Sequence, residues 1–360
     1  MVVDPCRAYR VFGVALDVSD DPLAIELKHA AMDATENGVG GFYADPYDAI
    51  SPCLPGLDKG IELIGKVAIP SWLAPRPLPV DRGLISTQRM EAFVTNGGLL
   101  KLSTRLKSFV QEKVLPAAPV MLGVDHSATG GVVSALSEEL GAENLCVVVM
   151  DQHFDCLPIS LRVGTGSLIG LGLPGMTGVS REAGRSDEYC CGDFWKHLID
   201  GGVVLPENLV FIGVGDYPET TATPGWETYR ENYLDFEKRG CSFFPLKDFE
   251  GQYAEKLQRF IEEKITTSYV YASLDLDVGS YRCVHAARYM DREGIERDAL
   301  MSVARIVGES ARAGRFRLAG ADIMEFNVHF LDIETPGGIK DETLGVARDF
   351  LAELLVGEAV

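Results

Sequence analysis

Residues 145–155 read LCVVVMDQHFD. An unbroken apolar run leads straight into Asp151, His153 and Asp155. A strand with one wet face would alternate polar and apolar residues. A run without alternation suits a parallel strand covered on both faces. Such strands belong to sheets whose sites form at their carboxyl ends, where this run meets two acids and an imidazole. If the chain stays extended there, residues two apart point the same way. Asp151, His153 and Asp155 would then share a face.

Working outward, five further runs have the same character, at residues 10–15, 120–124, 209–214, 269–276 and 317–323. Apolar residues recur at helical spacing between and after them. Leu99, Leu102, Leu106, Phe109 and Val110 form one such set, and Leu257, Phe260 and Ile261 another. Leu300, Val303 and Ile306 form a third, and Leu344, Ala347, Phe350, Leu351 and Leu354 close the chain. Strands alternating with helices predict a doubly wound α/β fold: three layers, a mostly parallel sheet and helices on both faces. No repeat or low-complexity linker interrupts the pattern, so residues 1–360 are expected to form one domain. Two regions give no clean periodicity. Residues 40–95 are rich in Pro and Gly, and residues 156–188 are rich in Gly. The second is read as a long irregular loop beside the site, a lid candidate.

Composition narrows the function classes. Of 360 residues, 46% are hydrophobic, enough for a large core, and the net charge is −20. That acidity opposes binding to phosphate backbones. The apolar runs are strand-sized, which argues against a membrane span, and the first residues lack the pattern of a secretory leader. Eight cysteines are scattered, without a CxxC pair. Reduced thiols and a cytoplasmic location are the expectation.

Two more apolar runs end as the first does. VMLGVDHSATGG (120–131) brings His126, and YASLDLD (271–277) brings Asp275 and Asp277. Four aspartates and two histidines would meet at these strand ends, or five aspartates if Asp125 turns inward. Buried carboxylates in that number repel one another unless cations compensate them. Two divalent ions supply that charge. Oxygen-rich ligation with one imidazole per ion favours Mn²⁺, with Ni²⁺, Fe²⁺ and Co²⁺ as alternatives.

These motifs resemble those of the arginase/agmatinase/formiminoglutamase (ureohydrolase) family. GVDHS is similar to that family's GGDHS, DQHFD to DAHxD, and SLDLD to SxDxD. LAGADIMEFN (318–327) and KDETLGVARDFLAELL (340–355) resemble the family's later strand and closing helix. The resemblance covers residues 120–355, and more loosely the first strand. It implies an arginase-like fold and a homo-oligomer, a trimer or hexamer. It implies one metal ion on His126, Asp151, Asp155 and Asp275, and a second on Asp151, His153, Asp275 and Asp277. Asp151 and Asp275 would bridge the two ions. The paired ions would activate a water, with Asp155 orienting it. Glu325 would pair with a cationic guanidino or amidino substrate, and the reaction would be hydrolysis of its C–N bond. Rival readings are hydrolysis of a formimino or amide bond, the deacetylase-like branch of the fold, and a non-catalytic metal-binding protein.

The chain also departs from the family. Ser280 and Tyr281 stand where Asp-Pro is usual, Val124 replaces a glycine, and CVHAARYMD (283–291) replaces a substrate-shaping loop. In EYCCGDFWKHLIDGG (188–202), Cys191 stands where the family's proton-shuttle histidine precedes a glycine. Cys191 is therefore the shuttle candidate if its pKa is lowered. His285 is another candidate, and His197 is read as a helix-surface residue.

Overall fold

A computed structural model describes residues 8–40, 43–57, 60–156, 189–215, 217, 226–290, 293–334 and 338–356. The lid candidate, apart from Cys156, lies outside the described residues. Eight strands form one sheet: β1 (Tyr9–Val14), β2 (Ile61–Lys66), β3 (Ala118–Gly123), β4 (Leu145–Met150), β5 (Leu209–Ile212), β6 (Ser242–Phe244), β7 (Tyr269–Asp275) and β8 (Arg317–Met324). Their order is β2-β1-β3-β8-β7-β4-β5-β6, and every neighbouring pair is parallel. The mostly parallel α/β expectation holds.

The α-helices are α1 (Pro22–Glu36), α2 (Pro46–Ile50), α3 (Thr87–Thr95), α4 (Gly98–Phe109), α5 (Thr129–Leu140), α6 (Phe194–Asp200), α7 (Trp226–Arg239), α8 (Tyr253–Lys264), α9 (Arg297–Arg312) and α10 (Thr343–Leu355). They cover both faces. One face of the sheet packs Val148, Val210, Ala272 and Ala321 against α8, α9 and α10 through Leu257, Leu300 and Phe350. The opposite face packs Val147, Val149, Phe211 and Tyr271 against α4, α5 and α6 through Leu106, Val132 and Trp195. Consecutive β4 residues thus alternate between two apolar layers, which is why the run carries no polar alternation.

Two strands were not legible in the sequence. β2 falls in the irregular 40–95 region and β6 has three residues. Both are sheet edges. An edge strand is covered less and needs less apolar sequence; β2 is only partly buried along its length.

The sheet order decides the site. The three motif strands β3, β7 and β4, with β8 between β3 and β7, are consecutive at its centre. Registers place Met121 beside Asp322, Asp322 beside Ser273, and Ser273 beside Val149. The carboxyl ends of these four strands therefore finish side by side.

Candidate metal centre

β4 stops at Met150, and residues 151–155 form bends rather than continued strand. β7 stops at Asp275 and passes into a 3-10 turn at Leu276–Val278. The expectation that these residues share a face of an extended strand is therefore corrected. The convergence comes from side chains capping the backbone two residues on. Asp151 Oδ1 accepts from His153 N at 2.6 Å, and Asp275 Oδ1 accepts from Asp277 N at 3.0 Å. Each cap turns the chain and leaves the other oxygen pointing at the cluster. Asp155 completes the turn in the left-handed region, φ 47°, a strained setting for a non-glycine residue that clusters at functional sites.

Ligand atoms of His126, Asp151, Asp155 and Asp275 lie within 4.8 Å of one another, as do those of Asp151, His153 and Asp277. His126 Nδ1 is 3.0 Å from Asp275 Oδ2 and 3.3 Å from both Asp151 Oδ2 and Asp155 Oδ2. His153 Nδ1 is 2.9 Å from Asp277 Oδ2 and 3.8 Å from Asp151 Oδ1. Asp151 is common to both groups. Asp275 joins the first, while its second oxygen is turned to the Asp277 amide. Asp125 faces away: its Oδ1 caps Ser127, taking the amide at 3.0 Å and the hydroxyl at 2.5 Å. Four aspartates, not five, converge.

Ser273 Oγ donates to Asp322 Oδ1 at 2.7 Å, so its lone pair receives His126 Nε2–H at 2.9 Å. His126 Nδ1 is thereby left as a lone pair facing three carboxylate oxygens. His126 Nδ1 and Asp151 Oδ2 are both buried and have no hydrogen-bond partner among the described residues. Lone pairs facing lone pairs in a buried pocket call for a proton or a cation. The pKa shifts show that demand. Burial lowers the His126 pKa, but the facing carboxylates of Asp151, Asp155 and Asp275 outweigh it and hold it well above the ordinary value. Burial, then Asp275, Asp155 and Asp277, push Asp151 well up. Burial and Asp275 do the same to Asp277. The residues fit two divalent ions.

An inner support of polar side chains was not recognised in the sequence. Asp322 takes hydrogen bonds from Ser273, Tyr271 (2.7 Å) and Thr129 (2.6 Å), all buried. The available signal was an aspartate inside an apolar strand, at LAGAD.

Glu325 follows β8 with φ 63°, again left-handed. Its Oε1 accepts from His126 N at 3.1 Å, so it borders the first group. Its Oε2 is 3.5 Å from Arg288 Nε, an arginine in the 283–291 loop that no motif marks in the sequence.

Cys191 lies in the turn before α6, a helix that packs Phe194, tilted, and Trp195, edge-on, against His126 at centroid distances of 5.0 and 6.0 Å. Burial, then Asp125, Cys190, Glu325 and Asp155, push the Cys191 thiol well up. The shuttle reading was conditional on a lowered pKa; the shift is in the opposite direction. Cys190 is not in an extended segment either, and its thiol reaches Asp193 Oδ1 at 3.6 Å. His285 belongs to neither ligand group, and its Nδ1 is 3.8 Å from Asp341 Oδ1. His197 sits on α6, 3.6 Å from Asp193 Oδ2.

Residues 80–356 match the model of the arginase family. The chain belongs to the arginase family. Among solved structures it is similar to arginase from Bacillus subtilis, with TM-score 0.58 and 17% identity over 98% of this chain and 100% of that one. Proclavaminate amidino hydrolase from Streptomyces clavuligerus gives TM-score 0.55 and 20% identity, over 99% of this chain and 94% of that one. Formimidoylglutamase from Bacillus subtilis gives 0.55 and 14%, over 98% and 87%. At these identities the structural likeness establishes the arginase-like fold. No curated protein matches the sequence. Among the described residues, no helix is long and apolar enough to cross a membrane.

Proposed function

We propose that this arginase-family chain is a binuclear metal-dependent hydrolase of a C–N bond at a trigonal carbon, in a small molecule bearing a guanidino, amidino, formimino or amide group. The observation that carries this reading is the pair of ligand groups sharing Asp151 at the carboxyl ends of β3, β4 and β7. His126, Asp151, Asp155 and Asp275 would hold one ion; Asp151, His153 and Asp277 would hold the other, with Asp275 as the second bridge implied by resemblance. Such a pair supplies Lewis acidity and a water of lowered pKa. Mn²⁺ suits the oxygen-rich set best.

In this reading the chain's own residues position the reaction. Asp155, held by its left-handed backbone, orients the attacking water. Ser273 and Asp322 fix the His126 ring. Cys191 stands at the shuttle position, but with its thiol held protonated it offers a donor hydrogen rather than a base. The guanidino and amidino readings rest on Glu325. The amide reading is supported by Arg288, which already faces that carboxylate. A cytoplasmic homo-oligomer, trimer or hexamer, is part of the same proposal.

The test is metal stoichiometry by elemental analysis and calorimetry on Mn²⁺-loaded protein, with turnover scored by urea or ammonia release. The expected result is two ions per chain, both lost in Asp151→Ala, because Asp151 serves both groups. Retention of two tightly bound ions in that variant would overturn the assignment.

A further inference from the structure

Arg288 is buried, 8% exposed, yet it lies in the loop between β7 and α9. The loop is held from several sides. Arg288 N donates to Glu325 O at 2.8 Å, Asn327 N donates to Ala286 O at 2.8 Å, and Ala287 bridges Phe326. The amides of His285 and Ala286 donate to Thr343 Oγ1 at 3.1 and 3.0 Å. The guanidinium is held as well. Its Nη2 donates to Tyr289 OH at 2.8 Å, and its Cζ lies 4.8 Å from that ring's centroid.

Two carboxylates face this guanidinium. Asp17, just beyond β1, has Oδ1 3.4 Å from Arg288 Nη1. Its other oxygen is 3.4 Å from the ammonium of the fully buried Lys28. Asp17 is thus shared between two buried cations, and the other carboxylate within ion-pair distance of Arg288 is Glu325, 3.5 Å from Nε, with the buried Asp125 adding negative charge from further off. Glu325 Oε2 has no hydrogen-bond partner among the described residues, so Arg288 faces it as an ion-pair partner at 3.5 Å. A carboxylate recognises an incoming guanidinium through its free oxygens, and here the chain's own guanidinium stands before them.

We propose that Arg288 is a specificity-determining residue that occupies Glu325, so that the group hydrolysed is an uncharged C–N group, amide-like, and not a guanidinium or amidinium. The proposal rests on the hydrolase reading above and names its substrate class. A cation entering beside the ligand cluster would have to displace a buried arginine and meet its like charge. A neutral group meets a compensated pair. Glu325 then acts as a positioning residue, with one oxygen facing the Arg288 charge at 3.5 Å and the other accepting the His126 amide.

The test is thermal melting with millimolar guanidinium chloride, using sodium chloride as the ionic control. The parent should show no saturable stabilisation. Arg288→Ala, with Glu325 uncovered, should show it, and Arg288→Ala/Glu325→Gln should lose it again. Equal saturable stabilisation of parent and Arg288→Ala overturns the proposal, as does a folded Arg288→Ala that guanidinium does not stabilise. Should Arg288→Ala not fold, Arg288→Met fills the volume without charge. Its loss of thermal stability should then be non-additive with that of Glu325→Gln, and additive losses overturn the pairing. With metal-loaded enzyme, the ratio of kcat/KM for an alkylguanidine to that for a primary amide should rise about tenfold or more in the Arg288 variant. A parent that prefers the guanidine also overturns the proposal. Metal stoichiometry on the same preparations separates the two levels: fewer than two ions sinks the hydrolase reading and leaves the guanidinium titration to be judged alone.

Discussion

A single hydroxyl decides which nitrogen of His126 can face the carboxylates. Because Ser273 gives its proton to Asp322, its oxygen can only receive from His126, and the ring is fixed with Nδ1 bare. Outer partners of this kind set ligand orientation and basicity, and their loss costs metal affinity roughly 10–100-fold. Ser273→Ala is expected to fold, since the smaller side chain fits, and to weaken metal binding by about that factor in a chelator competition. Unchanged affinity would mean that packing against Phe194 and Trp195 orients the ring by itself. The same reasoning explains why Asp322 escaped sequence reading. One aspartate in an apolar strand is legible as an anomaly, but its three donors come from two other elements, β7 and α5.

At the scale of elements, the site depends on how strand ends turn. Gly213 follows β5 with φ 97°, and a Cβ there would lie 2.4 Å from Val278 Cγ2 and 2.7 Å from Ile295 Cδ1. Val278 ends the 3-10 turn that carries Asp277. Gly213→Ala should therefore combine a left-handed backbone with overpacking, costing about 2–4 kcal/mol. It should lower the urea midpoint without altering the slope. It should also weaken the His153–Asp277 group more than the His126 group, visible as loss of one ion before the other. A midpoint equal to the parent's would show that the turn gives way freely.

Across the whole molecule, protons and cations compete for one buried set of ligands. Asp151, Asp277 and His126 all have pKa values held well above ordinary. For the two acids, burial is the leading cause. For His126, burial opposes the shift and the carboxylates override it. Without metal, the folded chain keeps protons here that the unfolded chain has already released. Stability from these groups is present at low pH. It is lost as pH rises from the ordinary carboxylate range, and for His126 the ordinary imidazole range, through the raised folded values. Metal ions need the deprotonated ligands and so bind better in that same direction. The gap in melting temperature between metal-loaded and metal-free protein should widen as pH rises through neutrality. A gap that does not change with pH would sink this account of the cluster.

What the sequence determined by itself was the parallel sheet, because unbroken apolar runs suit only strands covered on both faces. It also marked out the residues that cluster, because acids and imidazoles that terminate such runs have no role in a core. The edge strands β2 and β6 were out of reach, since a half-covered strand leaves no distinctive pattern. Two further things were decided only in three dimensions. The aspartates converge through side-chain caps on the chain beyond each strand, a geometry that spacing alone cannot separate from strand alternation. Arg288 reaches Glu325 and Asp17 because β7, β8, β3 and β1 stand in that order in the sheet. Residues far apart in sequence share a charge only once the sheet has set its strand order. The buried counter-ion of Glu325 could therefore not be read from its own segment.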